Sequence, residues 1–197
     1  MAGLYQSIVN FNIDTPIIEF IGFNGAYITA IITVTRLIVR YKFLVAYIFF
    51  YYANDLINQI LKIVFKYVFF YHTNERITQI LKFASNPVKN PFGYWTGEEL
   101  NIQPSKQHQT TNEKYGFQSG HTQSIFFSLT FLYLVTNSNF LLLITASIAT
   151  LALYQRLLSR KHTVEQLLTN SVIGSLIGYL SYRITKHFIE TNKTPIL

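Results

Sequence analysis

The sequence predicts an all-α fold, a polytopic transmembrane helical bundle of five or six spans, and three observations carry that expectation. Half of the 197 residues are hydrophobic and only 13% are charged, against roughly a quarter in soluble globular proteins. Several windows hold almost no charge: Pro16 to Val39, Phe43 to Ala53, Ser124 to Val135, Phe140 to Leu153 and Ser171 to Tyr182. Basic residues gather beside these windows rather than in a separate polar domain. The whole chain, 1–197, therefore reads as a single integral-membrane unit.

The first window, Pro16 to Val39, is long enough to span alone; the shorter ones need their polar flanks at the interface. No basic lead and no small-residue cleavage site precede it, so a retained first span is expected rather than a cleaved signal peptide. A basic turn, Arg36 to Lys42, leads into an aromatic-rich region that contains a duplication. "YIFFYYANDLINQILK" (Tyr47 to Lys62) matches "YVFFYHTNERITQILK" (Tyr67 to Lys82) at ten of sixteen positions. Two copies are too few for a solenoid, which points to a local duplication. In the first copy Asn54, Asn58 and Lys62 form a polar stripe at i, i+4 spacing, which is expected to face other helices. Whether the region makes two spans or one long helix and an interfacial one is left open by the pattern.

Pro87 to Phe117 is a long stretch rich in Pro, Gly, Gln, Asn and Thr, of the kind that is functional or disordered in a compact protein. After it come a helix at Ser124 to Val135, a tight turn at Asn137 to Asn139, a helix at Phe140 to Tyr154, a basic junction at Arg156 to His162, and a last span. That span carries Gly174-Ser-Leu-Ile-Gly178, a small-xxx-small face that admits close approach of another helix. The chain thus divides into N-terminal spans with the duplication (1–81), a motif-bearing core (82–178), and the end of the last span with its tail (179–197).

Composition also narrows the chemistry. The absence of cysteine removes disulfides, thiolate catalysis and Cys-ligated metal. The net charge of +7 would suggest nucleic acid in a soluble protein. Beside spans, such cations meet lipid phosphates or set topology, so the bilayer and a membrane lipid are the expected partners, with no nucleic acid.

Parity of the spans brings the polar junctions together. The helix after His121 leaves the membrane at Asn137 and the next returns at Arg156, so Arg156, Arg160, Lys161 and His162 share a face with Ser119, Gly120 and His121. Lys82 to Lys89 enters the intervening loop on that face. Two histidines among fixed cations, without a carboxylate cluster, suit phosphoryl transfer without metal or cofactor. One imidazole attacks phosphorus and the other protonates the leaving oxygen. Lysine and arginine hold the phosphoryl oxygens, and Gly120 at a helix start lets the backbone approach an anion.

These residues resemble the type 2 phosphatidic-acid phosphatase superfamily of integral-membrane lipid phosphatases, whose motifs read K-x6-R-P, P-S-G-H and S-R-x5-H-x3-D. "KFASNPVKNP" places Lys82 and Lys89 at the lysine and arginine positions, with Asn90 at the proline. "QSGH" supplies Ser119, Gly120 and His121 after Gln118. "QRLLSRKHTVEQ" gives Arg156, five residues, His162, three residues and Gln166, with Gln155 and Gln166 at the serine and aspartate positions. The resemblance implies His162 as nucleophile, His121 as acid for the leaving group, and Lys82, Lys89, Ser119, Gly120 and Arg156 as phosphate holders. The dolichyl-diphosphatase-like members show a similar "HT..Q" and "H(S/T)Q", found here as His162-Thr163 with Gln166 and as His121-Thr122-Gln123. A polyisoprenyl diphosphate is the substrate this implies.

The missing aspartate directs attention to the residues that follow His162. Gln166 can orient its imidazole, and Glu165, one position earlier, can supply negative charge or merely face water or a cation. Lys62 fits the repeat but lacks a cation seven residues on, and reads as structural. His72, His108 and His187 lie outside the motifs, and Asn192-Lys-Thr194 is a short glycosylation sequon. Three functions compete on this sequence: a membrane phosphatase, a degenerate relative that binds phosphorylated lipids or partners, and a transporter or structural membrane protein. Counting positive charges puts the basic segments on the cytoplasmic side, whereas the resemblance puts the site toward the lumen or exterior, in the endoplasmic reticulum or plasma membrane.

Overall fold

A computed structural model describes residues 16–71, 120–158, 162 and 164–192; for 16–18, 65–71, Leu158 and Glu165 it describes the backbone alone. Five α-helices make up this part of the chain: α1 (Pro16–Leu37), α2 (Tyr41–Tyr71), α3 (Gly120–Thr136), α4 (Asn139–Leu158) and α5 (Val164–Thr191). A single 3₁₀ turn, Ile38–Arg40, joins α1 to α2. The described residues include no strand, in keeping with the all-α expectation. The Pro87 to Phe117 stretch and most of the second repeat copy lie outside the described residues.

All helices but α1 are longer than the apolar windows that announced them; α1 stops two residues short of its window, at Leu37. The window Phe43 to Ala53 is the start of the 31-residue α2, because Asn54 and Asn58 do not end the helix but turn inward, 0% and 2% exposed. Asp55 accepts a hydrogen bond from Gln59 Nε2 (2.9 Å) on the outer face, and no Gly or Pro interrupts residues 41–71. The first repeat copy and the opening of the second therefore share one helix. Lys62, the third member of the predicted stripe, is exposed.

The turn between α3 and α4 falls where the sequence placed it. Asn137 adopts positive φ (49°), a conformation asparagine tolerates better than most residues. Its N–H donates to the Tyr133 carbonyl (2.7 Å), and Ser138 Oγ accepts from the N–H of Leu141 (3.4 Å) at the start of α4. Arg40 donates to the Val135 carbonyl, satisfying a terminal acceptor of α3 from the α1–α2 link.

At the centre stands α3, which packs against all four other helices, most extensively against α5. It is buried on more than one side, through Thr122, Gln123, Ser124, Ile125, Phe127, Ser128, Phe131, Leu132 and Val135. Phe127, Phe131 and Val135 join Leu37 and Tyr47 in one cluster; Ile125 joins Ala26, Ala149 and Ala152 in another. α5 runs parallel to α3, and Gly174 and Gly178 make that contact possible. A Cβ at Gly174 would collide with the carbonyl oxygen of Gln123, and one at Gly178 would stand 2.7 Å from that of Phe127. The predicted small-xxx-small face is thus the seam between the two helices.

Among the described residues the interior is more polar than that of a typical soluble bundle. Buried positions include Thr29, Thr33, Asn54, Asn58, Gln123, Ser128, Thr145, Gln166, Asn170, Ser181 and Thr185, while large apolar side chains point outward. On α5, Leu168, Val172, Leu176, Leu180, Ile184 and Phe188 form an exposed stripe at four-residue spacing. That stripe is about 30 Å long at 1.5 Å per residue, close to the thickness of a bilayer's hydrocarbon core. Among the described residues, one helix segment, Asn139–Leu157, is long and apolar enough to cross a membrane by length and composition, with mean hydropathy 1.6.

Candidate active site

Because α3 and α5 are parallel and α4 runs back between them, the start of α3, the end of α4 and the start of α5 lie at one end of the bundle. Gly120 opens α3 and His121 follows it. Arg156 sits in the last turn of α4, where the helix dipole favours a cation. His162 lies two residues before the start of α5, and Gln166 lies in that helix's first turn. Glu165 is beside it, though only its backbone is described. Lys82, Lys89 and Ser119 lie outside the described residues, as do Arg160 and Lys161.

The two histidines are half-buried, with Nε2 of His121 and Nδ1 of His162 shielded from solvent. Arg156 is 7% exposed, and its guanidinium carbon lies 5.7 Å from the centroid of the Phe23 ring on α1. Gln166 is fully buried, and its carbonyl accepts a hydrogen bond from Nδ2 of the equally buried Asn170. Among the described residues, no three His, Cys, Asp or Glu side chains gather.

A buried polar ladder fastens the start of α3 to α2. Asn58 Nδ2 donates to Gln123 Oε1 (2.8 Å), and Gln123 Nε2 donates to Asn54 Oδ1 (2.9 Å) and to the Asn54 carbonyl (3.2 Å). Asn54 Nδ2 reaches Ser124 Oγ (3.4 Å). Further along, the Tyr47 hydroxyl and Ser128 Oγ share a bond of 2.8 Å. The Asn58 carboxamide also crowds Gly120, where a Cβ would stand 3.3 Å from its Oδ1. Both Gln123 and the asparagines were visible in the sequence, Gln123 as part of "HTQ" and the asparagines as an inward stripe; their bonding to one another was not.

What the sequence did not indicate is the part played by α1. Tyr27 meets His121 edge-on, with ring centroids 6.1 Å apart and planes at 89°. Phe23, one turn earlier, lies against Arg156. Neither ring belongs to a motif, and their neighbours come from helices about a hundred residues away or more.

The described residues form an all-helical bundle with His121, His162 and the buried Arg156 toward one end. The sequence matches the model of the PAP2 superfamily over residues 43–190, and the chain belongs to that superfamily. Phosphatase chemistry on phosphorylated substrates is the activity the superfamily implies. Comparisons with curated proteins and with solved structures give no match.

Proposed function

We propose that the protein is a multi-pass membrane phosphatase that hydrolyses a lipid phosphate or diphosphate, with a polyisoprenyl (dolichyl-type) diphosphate as the preferred substrate, through a phosphohistidine intermediate. The observation that carries this reading is the parallel packing of α3 and α5 across Gly174 and Gly178. It joins the helix that His121 opens, after Gly120, to the helix that begins two residues after His162. The outward apolar stripes of the helices support a lipid environment, in which buried polar groups must satisfy one another.

In the first step a ring nitrogen of His162 attacks phosphorus. The P–N bond forms as the bond from phosphorus to the leaving oxygen breaks, and His121 gives its proton to that oxygen. Water then attacks the phosphoryl group, His121 takes a proton from it, and the P–N bond breaks to release phosphate. Lys82, Lys89, Ser119, Gly120 and Arg156 hold the non-bridging oxygens and offset their charge. Gln166, one turn beyond His162, orients its imidazole.

The test is phosphate release by the full chain, purified in detergent, in the presence of chelator. A polyprenyl diphosphate, a diacylglycerol phosphate and a water-soluble phosphate ester are compared. The polyprenyl diphosphate is expected to give the highest kcat/KM, and activity is expected to persist in chelator. Preference for the soluble ester would overturn the lipid assignment, and no release from any of the three would overturn the phosphatase.

A further inference from the structure

α1 precedes the residues matched by the superfamily, 43–190, yet two of its rings touch the candidate site. Tyr27 stands edge-on to His121 at 6.1 Å, and Phe23 lies 5.7 Å from the Arg156 guanidinium. Four residues apart, the two rings share one face of α1. A single helix face therefore touches a histidine from α3 and an arginine from α4.

The seating of α1 is close. A Cβ at Gly22 would collide with Gln155 Cβ, and one at Gly25 would lie 3.0 Å from Ala152 Cβ and 3.2 Å from Ile125 Cδ1. The α1 backbone thus rests directly against α4 and α3, at the level of the site. Tyr27 is 61% exposed and Phe23 51%, so neither ring is there to fill the core.

We propose that α1 is a wall of the active site, with Tyr27 a positioning residue for His121 and Phe23 one for Arg156. This rests on the reading of His121 as proton donor and Arg156 as phosphate holder. The terminal torsion of a histidine is broad, and an edge-on neighbour narrows it, holding the proton-bearing nitrogen at one bearing. A ring against the guanidinium does the same for the plane of its fork. Aromatic pair contacts of this kind correspond to roughly two- to twelvefold in an equilibrium or a rate.

The experiment uses the full chain in detergent with a polyprenyl diphosphate. Tyr27→Leu is expected to lower kcat by roughly two- to twelvefold with little change in KM, and Tyr27→Phe, which keeps the ring, to recover most of that loss. Phe23→Leu is expected to raise KM by roughly two- to fivefold. The exposure of both positions predicts apparent melting temperatures close to the parent's.

A second readout does not depend on turnover. In protein labelled at histidine, the His121 ring signals, assigned by their loss in His121→Gln, should move in Tyr27→Leu and stay in place in Tyr27→Phe. Unmoved His121 signals in Tyr27→Leu, or equal kinetics for the Leu and Phe variants, would overturn the role of Tyr27; an unchanged KM in Phe23→Leu would overturn that of Phe23. A parent that releases no phosphate would instead sink the proposed function, and the His121 signals would still decide the ring contact.

Discussion

A guanidinium at 7% exposure is costly to desolvate, and proteins retain such groups where geometry or function repays the cost. Arg156 was legible from its spacing of five residues to His162; its burial and the ring beside it were not, because Phe23 is far away in sequence. The lysines present the opposite case. Lys62 and Lys82 occupy equivalent places in the duplication, and sequence alone separates them through the cation at Lys89 and the proline at Pro91. The structure adds that Lys62 is exposed on α2, unlike the buried Asn54 and Asn58. Lys62→Ala is therefore expected to leave kcat/KM within about twofold of the parent, whereas Lys82→Ala should lower it by roughly a hundredfold, the loss typical of a group that stabilises transition-state charge. Comparable losses in the two variants, measured by phosphate release, would show that the duplication has been paired with the wrong motif.

At the scale of the element, two contacts fix where the histidines stand. Gln123 bridges Asn54 and Asn58 across the α2–α3 interface, and a double-mutant cycle between Asn58→Ala and Gln123→Ala is expected to give a coupling of about 0.6–1.7 kcal/mol, the range for interhelical hydrogen bonds in membrane bundles. Thermal or denaturant unfolding in detergent measures it, and additive losses would mean the bond contributes nothing. The second contact is the glycine seam. At Gly174 the atoms in the way are all backbone, with the Gln123 carbonyl carbon 3.0 Å and its Cα 3.1 Å from the added Cβ, so no side chain can yield and the helices must separate. Gly174→Ala is expected to cost about 1–3 kcal/mol of stability and about a hundredfold in kcat through displacement of His162 from His121. Gly25→Ala, which meets the side chains of Ala152 and Ile125, should be milder on both counts; equal effects at the two glycines would contradict the special standing of the seam. The Gly174–Gly178 face could be read from the sequence because its four-residue spacing is a local pattern. Helix ends could not, since Asn, Gln and Thr residues that usually announce a loop are here buried against one another, as at Asn54 and Asn170.

Among the described residues many polar side chains are buried and many large apolar ones face outward, a pattern that sparse charge and apolar windows announce in a sequence. Helical content, the Asn137 turn and the convergence of the junctions at Gly120, Arg156 and His162 at one end all follow from local patterns and the alternation of direction along the chain. The docking of α1 against α3 and α4 does not, because it is decided by long-range packing at Gly22 and Gly25 rather than by any periodicity. The proposed function turns on transfer of a phosphoryl group to His162. Its most direct test is to mix the full chain with a polyprenyl diphosphate labelled in its terminal phosphate, quench within a turnover, and map the label by mass spectrometry under conditions that preserve phosphohistidine. Acid-labile phosphate is expected on His162 of the parent and absent from His162→Asn. Steady turnover by His162→Asn, or label on another residue in the parent, would contradict it.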